Sequence, residues 1–555
     1  MSVWNGLRRQ RDNGGPEGVA IRVRPPKQKE TASPADLRTG TAARPVGPRV
    51  PRPLAWGVMI AAAFYVLAHI SIVTGVWPVH GTSPGAGAML MRDAVALVAW
   101  LLLIPVLRVL GFRGNWAVVA LPIIVFFLAR PALFQVFSDP VYQATRTTRA
   151  DANLLKAERA QLTTILRAYD ADRQSAVFEG PPPALPDPWP VAASAERAAG
   201  APLVRALSHF SVLLAPLMLL LGFLGTRKAS TLRALREHKR WPFLLTLAVF
   251  FVLALFFTEL GKVRGTTPWE LFLPVFILTW AAVLADDSYN LARVQSFVAP
   301  RRVLGLLLYG ALPVVPFLVI RELGLSIVLA GSMAVMLLVG TRRGWWAGLM
   351  LAVWAVLVVA AFSLDDRSST RLTLAYDTYR DLSVMTTQQA ERWAASVHQI
   401  KLFDANVLAG GVFGRGPGRG HGETAPNAAD DGYITLLAAQ YGWLGTLTVV
   451  LVYTLFLIQM IGVAVRERGA FERTLAIGLA LLIAIPFWLA TLGGLRVIPL
   501  TGVAAAFAAH GGAKLIAAAL SVGVVAGISH RRAEEDRLMP EAQSAALPEQ
   551  GVRVR

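Results

Sequence analysis

The 555-residue chain contains no cysteine, and only 16% of its residues are charged. The first absence excludes disulfides, thiolate metal sites and cysteine nucleophiles, and it leaves the redox compartment open. The second excludes an ordinary soluble enzyme, whose charged fraction is about 25%. Acidic residues are the scarcer sign: 35 Asp and Glu stand against 54 Lys and Arg, a net charge of +19. In a soluble protein that excess would suggest nucleic acid, but here it sits in short segments between apolar runs. Membrane lipids with anionic headgroups are therefore the expected partner, and no nucleic acid. What the chain has in abundance is apolar surface, with 55% hydrophobic residues and a mean hydropathy of +0.51. Residues 1–53 carry eleven Lys and Arg against four Asp and Glu, with many Pro and Gly and no apolar core. They read as a disordered basic tail and not as a cleavable signal peptide.

Stretches of about 18 or more mainly apolar residues are taken as membrane spans. They predict an all-α polytopic membrane protein of about twelve transmembrane helices. The spans fall near 54–76, 94–111, 115–136, 203–225, 241–260, 268–285, 303–320, 322–340, 344–363, 432–463, 474–492 and 500–529. With the N-terminus inside, the short inner connections hold fifteen Lys and Arg. The short outer ones hold five: Arg92, Lys262, Arg264, Arg321 and Arg496. That bias predicts cytoplasmic N- and C-termini, the latter a tail over 531–555. The remaining charges are expected at the outer ends of the spans, which argues against a transporter with a charged midplane site.

Two outer segments are too long for the charge rule. In 137–202, Leu154, Leu155, Leu162, Ile165 and Leu166 recur at roughly helical spacing ahead of the proline-rich stretch 181–190. This reads as an amphipathic helix with a stiff tether, either a spacer or a docking site. The second segment, 364–431, carries the chemistry. It contains Gly410-Gly411-Val412-Phe413-Gly414-Arg415-Gly416-Pro417-Gly418-Arg419-Gly420, then Pro426 to Asp431. The run follows no strand and lacks the Lys-Ser/Thr of a P-loop, so no nucleotide site is read from it. On an outer membrane face, arginines suit a lipid-linked pyrophosphate. Asp430 and Asp431 stand where the loop meets the next span, as catalytic carboxylates or as helix N-caps. Glu270 and Glu322 lie at similar depth, as site residues or as partners of a neighbour such as Arg321.

Together these segments resemble the SEDS family (shape, elongation, division and sporulation), the RodA and FtsW type of peptidoglycan glycosyltransferase. Pro268-Trp269-Glu270-Leu271 is similar to the family's Pro-Ser-Glu-Leu, and Arg321-Glu322-Leu323-Gly324 to its Pro-Asp-Leu-Gly. Gly410 to Gly418 resembles the family's glycine loop. Pro426 to Asp431 aligns without a gap on Pro-Glu-Ala-His-Thr-Asp, which puts Asp431 on the catalytic aspartate. Gly442 and Gly445 follow at the family's spacing, and Pro499 to Gly512 resembles the start of its last span. The chain departs from the pattern at Leu273, where the family has Lys, and at Ala429, where it has His. It departs again at Ala439-Gln440 for Glu-Glu and at Ala513-Lys514 for Ser-Ser.

The resemblance implies a ten-helix core over 112–530, with two extra N-terminal spans in 54–111, the outward insertion 137–202 and an outward catalytic loop 364–431. It also implies polymerisation of lipid II by inverting glycosyl transfer in the bacterial cytoplasmic membrane, in cell shape or division. Asp431 would be the general base. Arg415, Arg419, Arg264 and Lys262, with Glu270, Glu322 and Asp430, would bind the lipid-linked pyrophosphate sugar. A single-span class B penicillin-binding protein is the implied partner. No metal ligands are assigned, and the sequence leaves a divalent cation open. Two other functions stay open: a polymerase or ligase for another lipid-linked glycan, and a non-catalytic scaffold or regulator that keeps the fold.

The absence of native cysteine makes the topology directly testable. Single cysteines placed at Ala192 or Ser369 should react with a membrane-impermeant maleimide added from outside, and one at Ser230 should not. The opposite labelling pattern refutes the assignment.

Overall fold

The computed structural model describes residues 48–83, 85–139, 202–259, 268–293, 309–310, 312–319, 323–362, 400–420 and 428–546. The basic tail to residue 47 and the amphipathic stretch 152–169 lie outside the described residues, as do Lys262, Arg264 and Glu322.

Among the described residues the regular structure is helical. Helix α1 (Arg52–Ser71) continues through a π-helical turn, Ile72–Val76, into Trp77–His80; α2 (Ala86–Val109) and α3 (Trp116–Ser138) follow. Then come α4 (Pro202–Thr226), α5 (Ala229–Glu237), α6 (Arg240–Glu259), a 3-10 turn at Pro268–Leu271 and α7 (Leu273–Arg293). The chain goes on with α8 (Val315–Val319), α9 (Leu323–Thr341), α10 (Gly344–Phe362) and α11, helical over 400–410. It closes with α12 (Tyr433–Arg466), α13 (Ala470–Gly494) and α14 (Gly512–Ala546). Eight of the described helices are long and apolar enough to cross a membrane, and nine if the pair α4–α5, bent by 89°, is one span. The described parts of α6 and α10 are shorter apolar helices. Most of the span expected at 303–320 falls outside the described residues.

Polar contacts join the helix ends in two sets. On the expected inner side, the Arg113 N–H donates to His530 Nδ1 at 3.0 Å, and Arg236 donates to Asp286 at 2.6 Å. Arg531 pairs there with Glu472 at 3.2 Å. On the other side, Ser83 N–H meets the Ser138 carbonyl at 2.8 Å, and Arg496 pairs with Asp404 at 2.7 Å. Helix α5 turns off α4 and buries Leu232 while Arg233 is exposed, the pattern of an interfacial helix.

Helices gain no hydrophobic driving force against one another in lipid, so small residues that let backbones approach matter most. The pair α4–α14 is packed that way. A Cβ on Gly523 would stand 2.0 Å from the Leu219 carbonyl, and one on Gly222 2.5 Å from that of Leu520. Helix α3 is buried on nearly every side. Helix α1 buries one stripe, Val58, Ala61, Ala62, Tyr65 and Ala68, and exposes Trp56, Met59, Ile60 and Leu67.

Two expectations are corrected. The last span does not begin at 500: residues 499–511 are non-helical, with Gly502 at φ +73° and Phe507 at φ +64°, and the helix starts at Gly512. Irregular backbone at membrane depth survives only where protein surrounds it. Here Val503 to Ala508 are buried, and the Tyr453 hydroxyl donates to the Ala506 carbonyl at 2.8 Å. Second, charges do not confine themselves to the outer ends of spans. Asp93 in α2 is 0% exposed and takes two hydrogen bonds from Arg130 in α3, at 2.9 and 2.8 Å, while His69 Nε2 of α1 stands 3.5 Å away. A lone Asp or Arg inside a span is costly to bury, and a bidentate pair of opposite sign relieves that cost.

Candidate functional site

The glycine-rich loop earns its composition from a break in a helix. Helix α12 is interrupted at Gly442, which has φ +65° and ψ −172°. In an unbroken helix the N–H groups of Trp443 and Leu444 would bond to the carbonyls of Ala439 and Gln440. Instead Trp443 N–H donates to the Gly411 carbonyl at 3.0 Å and Leu444 N–H to that of Val412 at 3.1 Å. The carbonyls thus released accept from the loop, Ala439 from Arg415 N–H at 3.2 Å and Gln440 from Gly416 N–H at 2.9 Å. Four bonds between loop and helix replace two within the helix. Such an approach leaves no room for side chains: a Cβ on Gly414 would stand 2.2 Å from the Gln440 carbonyl oxygen, and one on Gly442 2.3 Å from the Gly414 nitrogen.

The consequence is chemical. The amides of residues 415, 416 and 419 are all satisfied within the loop and helix, and that of Gly418 donates to Gln440 Oε1 at 3.1 Å. The glycines therefore serve contact with α12 and not a cradle of amides around a ligand. Anion recognition falls to side chains. Arg415 and Arg419 are both exposed, and Arg415 Nε donates to the Ala409 carbonyl at 3.2 Å.

The two aspartates occupy a turn over 428–432 ahead of α12. The N-cap of that helix is Gly432, without a side-chain capping bond, so neither aspartate has the N-cap role. Asp430 and Asp431 are both half-buried. Behind them Ala428 and Ala429 are buried at 0% exposure, and the α11 residue Phe403 fills the space over Gly432, where a Cβ would stand 2.3 Å from its ring. Tyr433 is fastened to α13 by a 2.7 Å hydrogen bond with Thr491.

This turn is tied to a second group of polar residues through the irregular segment before α14. His510 N–H donates to the Ala429 carbonyl at 2.7 Å. One turn further on, Lys514 pairs with Glu270 of the 3-10 turn at 3.1 Å, with both side chains largely buried. Glu270, Leu273 and Lys514 line one cleft with Pro486, Ala506 and Ser521, of about 370 Å³ empty volume and partly open to the exterior. Its walls are otherwise apolar. Among the described residues no group of three or more His, Asp or Glu could hold a metal ion.

Comparison with known proteins gives the family. The family model for cell cycle proteins of the FtsW, RodA and SpoVE type matches residues 204–534. The chain belongs to that family. Among curated relatives, the peptidoglycan glycosyltransferase RodA of Mycobacterium bovis is 27% identical over 224 residues, 40% of this chain and 45% of that protein. A probable peptidoglycan glycosyltransferase FtsW from a Geobacter species is 26% identical over 330 residues, 56% of this chain and 84% of that one. The chain thus spans about half the length of the RodA relatives it matches. A solved structure, described as structural coordination of polymerization and crosslinking by a peptidoglycan synthase complex, aligns at 18% identity. Its TM-score is 0.45, over 60% of this chain and 91% of that one. The fold is that of a multi-pass bacterial membrane protein of the FtsW/RodA family.

Of the expected site residues, the structure gathers Asp430, Asp431, Arg415, Arg419 and Glu270 on one side of the helix layer. Lys514 was not among them. Its signal was present: a lysine stands where the family motif ends in serine, in a chain that has lost the motif's other lysine at Leu273. Leu273 and Lys514 line the same cleft.

If the Gly442 break holds the loop, Gly442→Ala should loosen it without unfolding the core. Deuterium exchange over 410–420 should accelerate several-fold, while 446–466 stays protected. Equal exchange in variant and wild type would show that the loop is held elsewhere.

Proposed function

We propose that this chain polymerises lipid II by inverting glycosyl transfer at the outer face of the cytoplasmic membrane, with both termini in the cytoplasm. One observation carries the reading. The His510 amide links the aspartate turn to the Glu270–Lys514 cleft, so a carboxylate turn, an apolar cleft and a buried ammonium adjoin at one end of the molecule. An amphipathic substrate with a prenyl chain, a pyrophosphate and a sugar has matching parts.

In the proposed reaction Asp431 takes the proton from the acceptor sugar hydroxyl as its oxygen attacks the anomeric carbon of the donor. The bond from that carbon to the lipid pyrophosphate breaks, and the pyrophosphate departs with the electron pair. Glycosidases need a second carboxylic acid because an alkoxide leaves poorly. Pyrophosphate leaves without protonation, so one base and several cations suffice. Arg415, Arg419 and Lys514 are the cations proposed among the described residues, with Lys262 and Arg264 preceding the 3-10 turn in sequence. Lys514 also offsets Glu270, and its ammonium has donors beyond the one spent there.

Cell shape and cell division are the two settings that this reading admits. A single-span class B penicillin-binding transpeptidase is the proposed partner, because polymerised glycan needs crosslinking. A second reading keeps the chemistry and changes the glycan. It is favoured by Gln440, whose neutral amide binds both Gln135 and the loop where the family motif has glutamate.

Purified protein in detergent with fluorescent lipid II tests the assignment. Asp431→Asn keeps shape and loses basicity, so turnover should fall roughly 10²- to 10⁴-fold with unchanged protein yield. Asp430→Asn should fall much less. Wild-type turnover in both variants removes Asp431 from the mechanism.

The arginines can be tested separately, because the loop is held by its backbone. Arg415→Gln combined with Arg419→Gln leaves those bonds in place and should weaken lipid II binding at least several-fold with little change in Tm. Unchanged affinity would mean that the loop is only a structural element.

A further inference from the structure

The N-terminal hairpin α1–α2 lies before the family match at 204–534, yet it touches the glycine-rich loop. The contact is made by the π-helical turn of α1. Such turns are rare, occur mostly as single-turn bulges inside α-helices, and are frequent at functional sites. Here the turn buries Ile72 and Val76 against Phe134 of α3 and presents the same two residues to Gly418. A Cβ on Gly418 would stand 2.5 Å from Val76 Cγ2 and 3.0 Å from Ile72 Cγ1; one on Gly75 would stand 3.9 Å from Arg419 Nη2. From its other side Gly418 is held by Gln440, which donates in turn to Gln135 of α3 at 3.0 Å.

The hairpin is itself clamped to α3 by the buried ion pair. Arg130 grips Asp93 of α2, His69 of α1 stands beside the same carboxylate, and the Tyr65 hydroxyl donates to the Asp93 carbonyl at 2.9 Å. Arg130 and Gln135 are five residues apart on α3, about 7.5 Å along the axis. One rigid helix therefore carries the grip on the hairpin and the grip on the loop. Apolar helices meet lipid as readily as each other, so apolar packing alone would leave the depth and rotation of the hairpin weakly defined. A bidentate pair in the bilayer has only one register.

We propose that the hairpin α1–α2 is a fixed seat for the glycine-rich loop, latched by Asp93 and Arg130, that presents Arg419 and Arg415 to the lipid-linked pyrophosphate in one geometry. Val76, Gly418, Asp93 and Arg130 are then positioning residues, and the role rests on the reading of the loop as a pyrophosphate clamp.

The Cβ of Val76 and a Cβ built on Gly418 are 3.5 Å apart, within disulfide range, and the chain has no native cysteine. Val76→Cys with Gly418→Cys should therefore form a disulfide in membranes on mild oxidation. Separately, Asp93→Asn with Arg130→Gln removes both charges and leaves neither stranded. This pair should raise deuterium exchange over 410–420 several-fold and raise KM for fluorescent lipid II several-fold, with kcat less affected. Oxidising the cysteine pair in that background should restore protection and KM, and reduction should reverse it. If the neutral pair does not fold, Arg130→Lys, which keeps the charge and loses the fork, should show the same effects in weaker form. Failure of the disulfide to form, or unchanged exchange and KM after removal of the ion pair, overturns the proposal. Increased exchange in the variant together with a wild type that turns over no lipid-linked substrate leaves the seat standing and removes the pyrophosphate reading.

Discussion

A helix that breaks near the edge of a membrane must find new partners for the amides and carbonyls it frees, because lipid offers none. The break at Gly442 in α12 frees two of each, and the glycine-rich loop supplies two of each in return. The other local features follow from that exchange. Gly414 and Gly442 must lack side chains because their backbones nearly touch, and Gln440 remains at the end of the first helical segment to take the Gly418 amide. With the amides of residues 414, 415, 416, 418 and 419 bonded, Arg415 and Arg419 are the loop's cations for an anion.

The same constraint explains why the irregular backbone gathers on one side. The π-helical turn of α1, the 3-10 turn at Pro268–Leu271, the aspartate turn and the segment 499–511 each depart from α-helix, and each is packed against another part of the structure. Grouped there they close one another's hydrogen bonds and leave the opposite ends of the helices to short, basic connections. The charge arrangement follows the same economy. Leu273 supplies no cation to the cleft, and Lys514 of α14 supplies one with Glu270 as its counter-ion.

Much of this was legible in the sequence. Runs of apolar residues located the eight long apolar helices because burial in lipid requires about twenty such residues, and the order of the motifs from Glu270 to Gly512 pointed to the fold. Hydropathy does not distinguish a helix from a buried irregular segment, so Val503 to Ala508 read as the start of the last span. The pairing of Arg130 with Asp93 was not legible, since nothing local indicates that residues 37 apart will meet. The role of Gly442 was hidden for a related reason. Its spacing from Asp431 marked it as part of a motif, but its use depends on a loop some thirty residues upstream. Of the two readings open for the aspartates, the N-cap one fails by one or two residues, because Gly432 holds that place.

A loop rich in glycine is the most flexible segment a chain can offer, and a flexible clamp pays for its ordering each time it binds. Here that ordering is completed during folding. Four backbone bonds to α12, the Gln440 amide and the apolar contact of Val76 with Gly418 fix the loop from opposite sides before a ligand arrives. The N-terminal hairpin is then more than an addition to the family core. Its ion pair to α3 gives an otherwise lipid-like helix a defined depth, and that depth sets the π-helical turn against the loop. Rigidity of the loop is thus derived from an ion pair buried between two apolar helices.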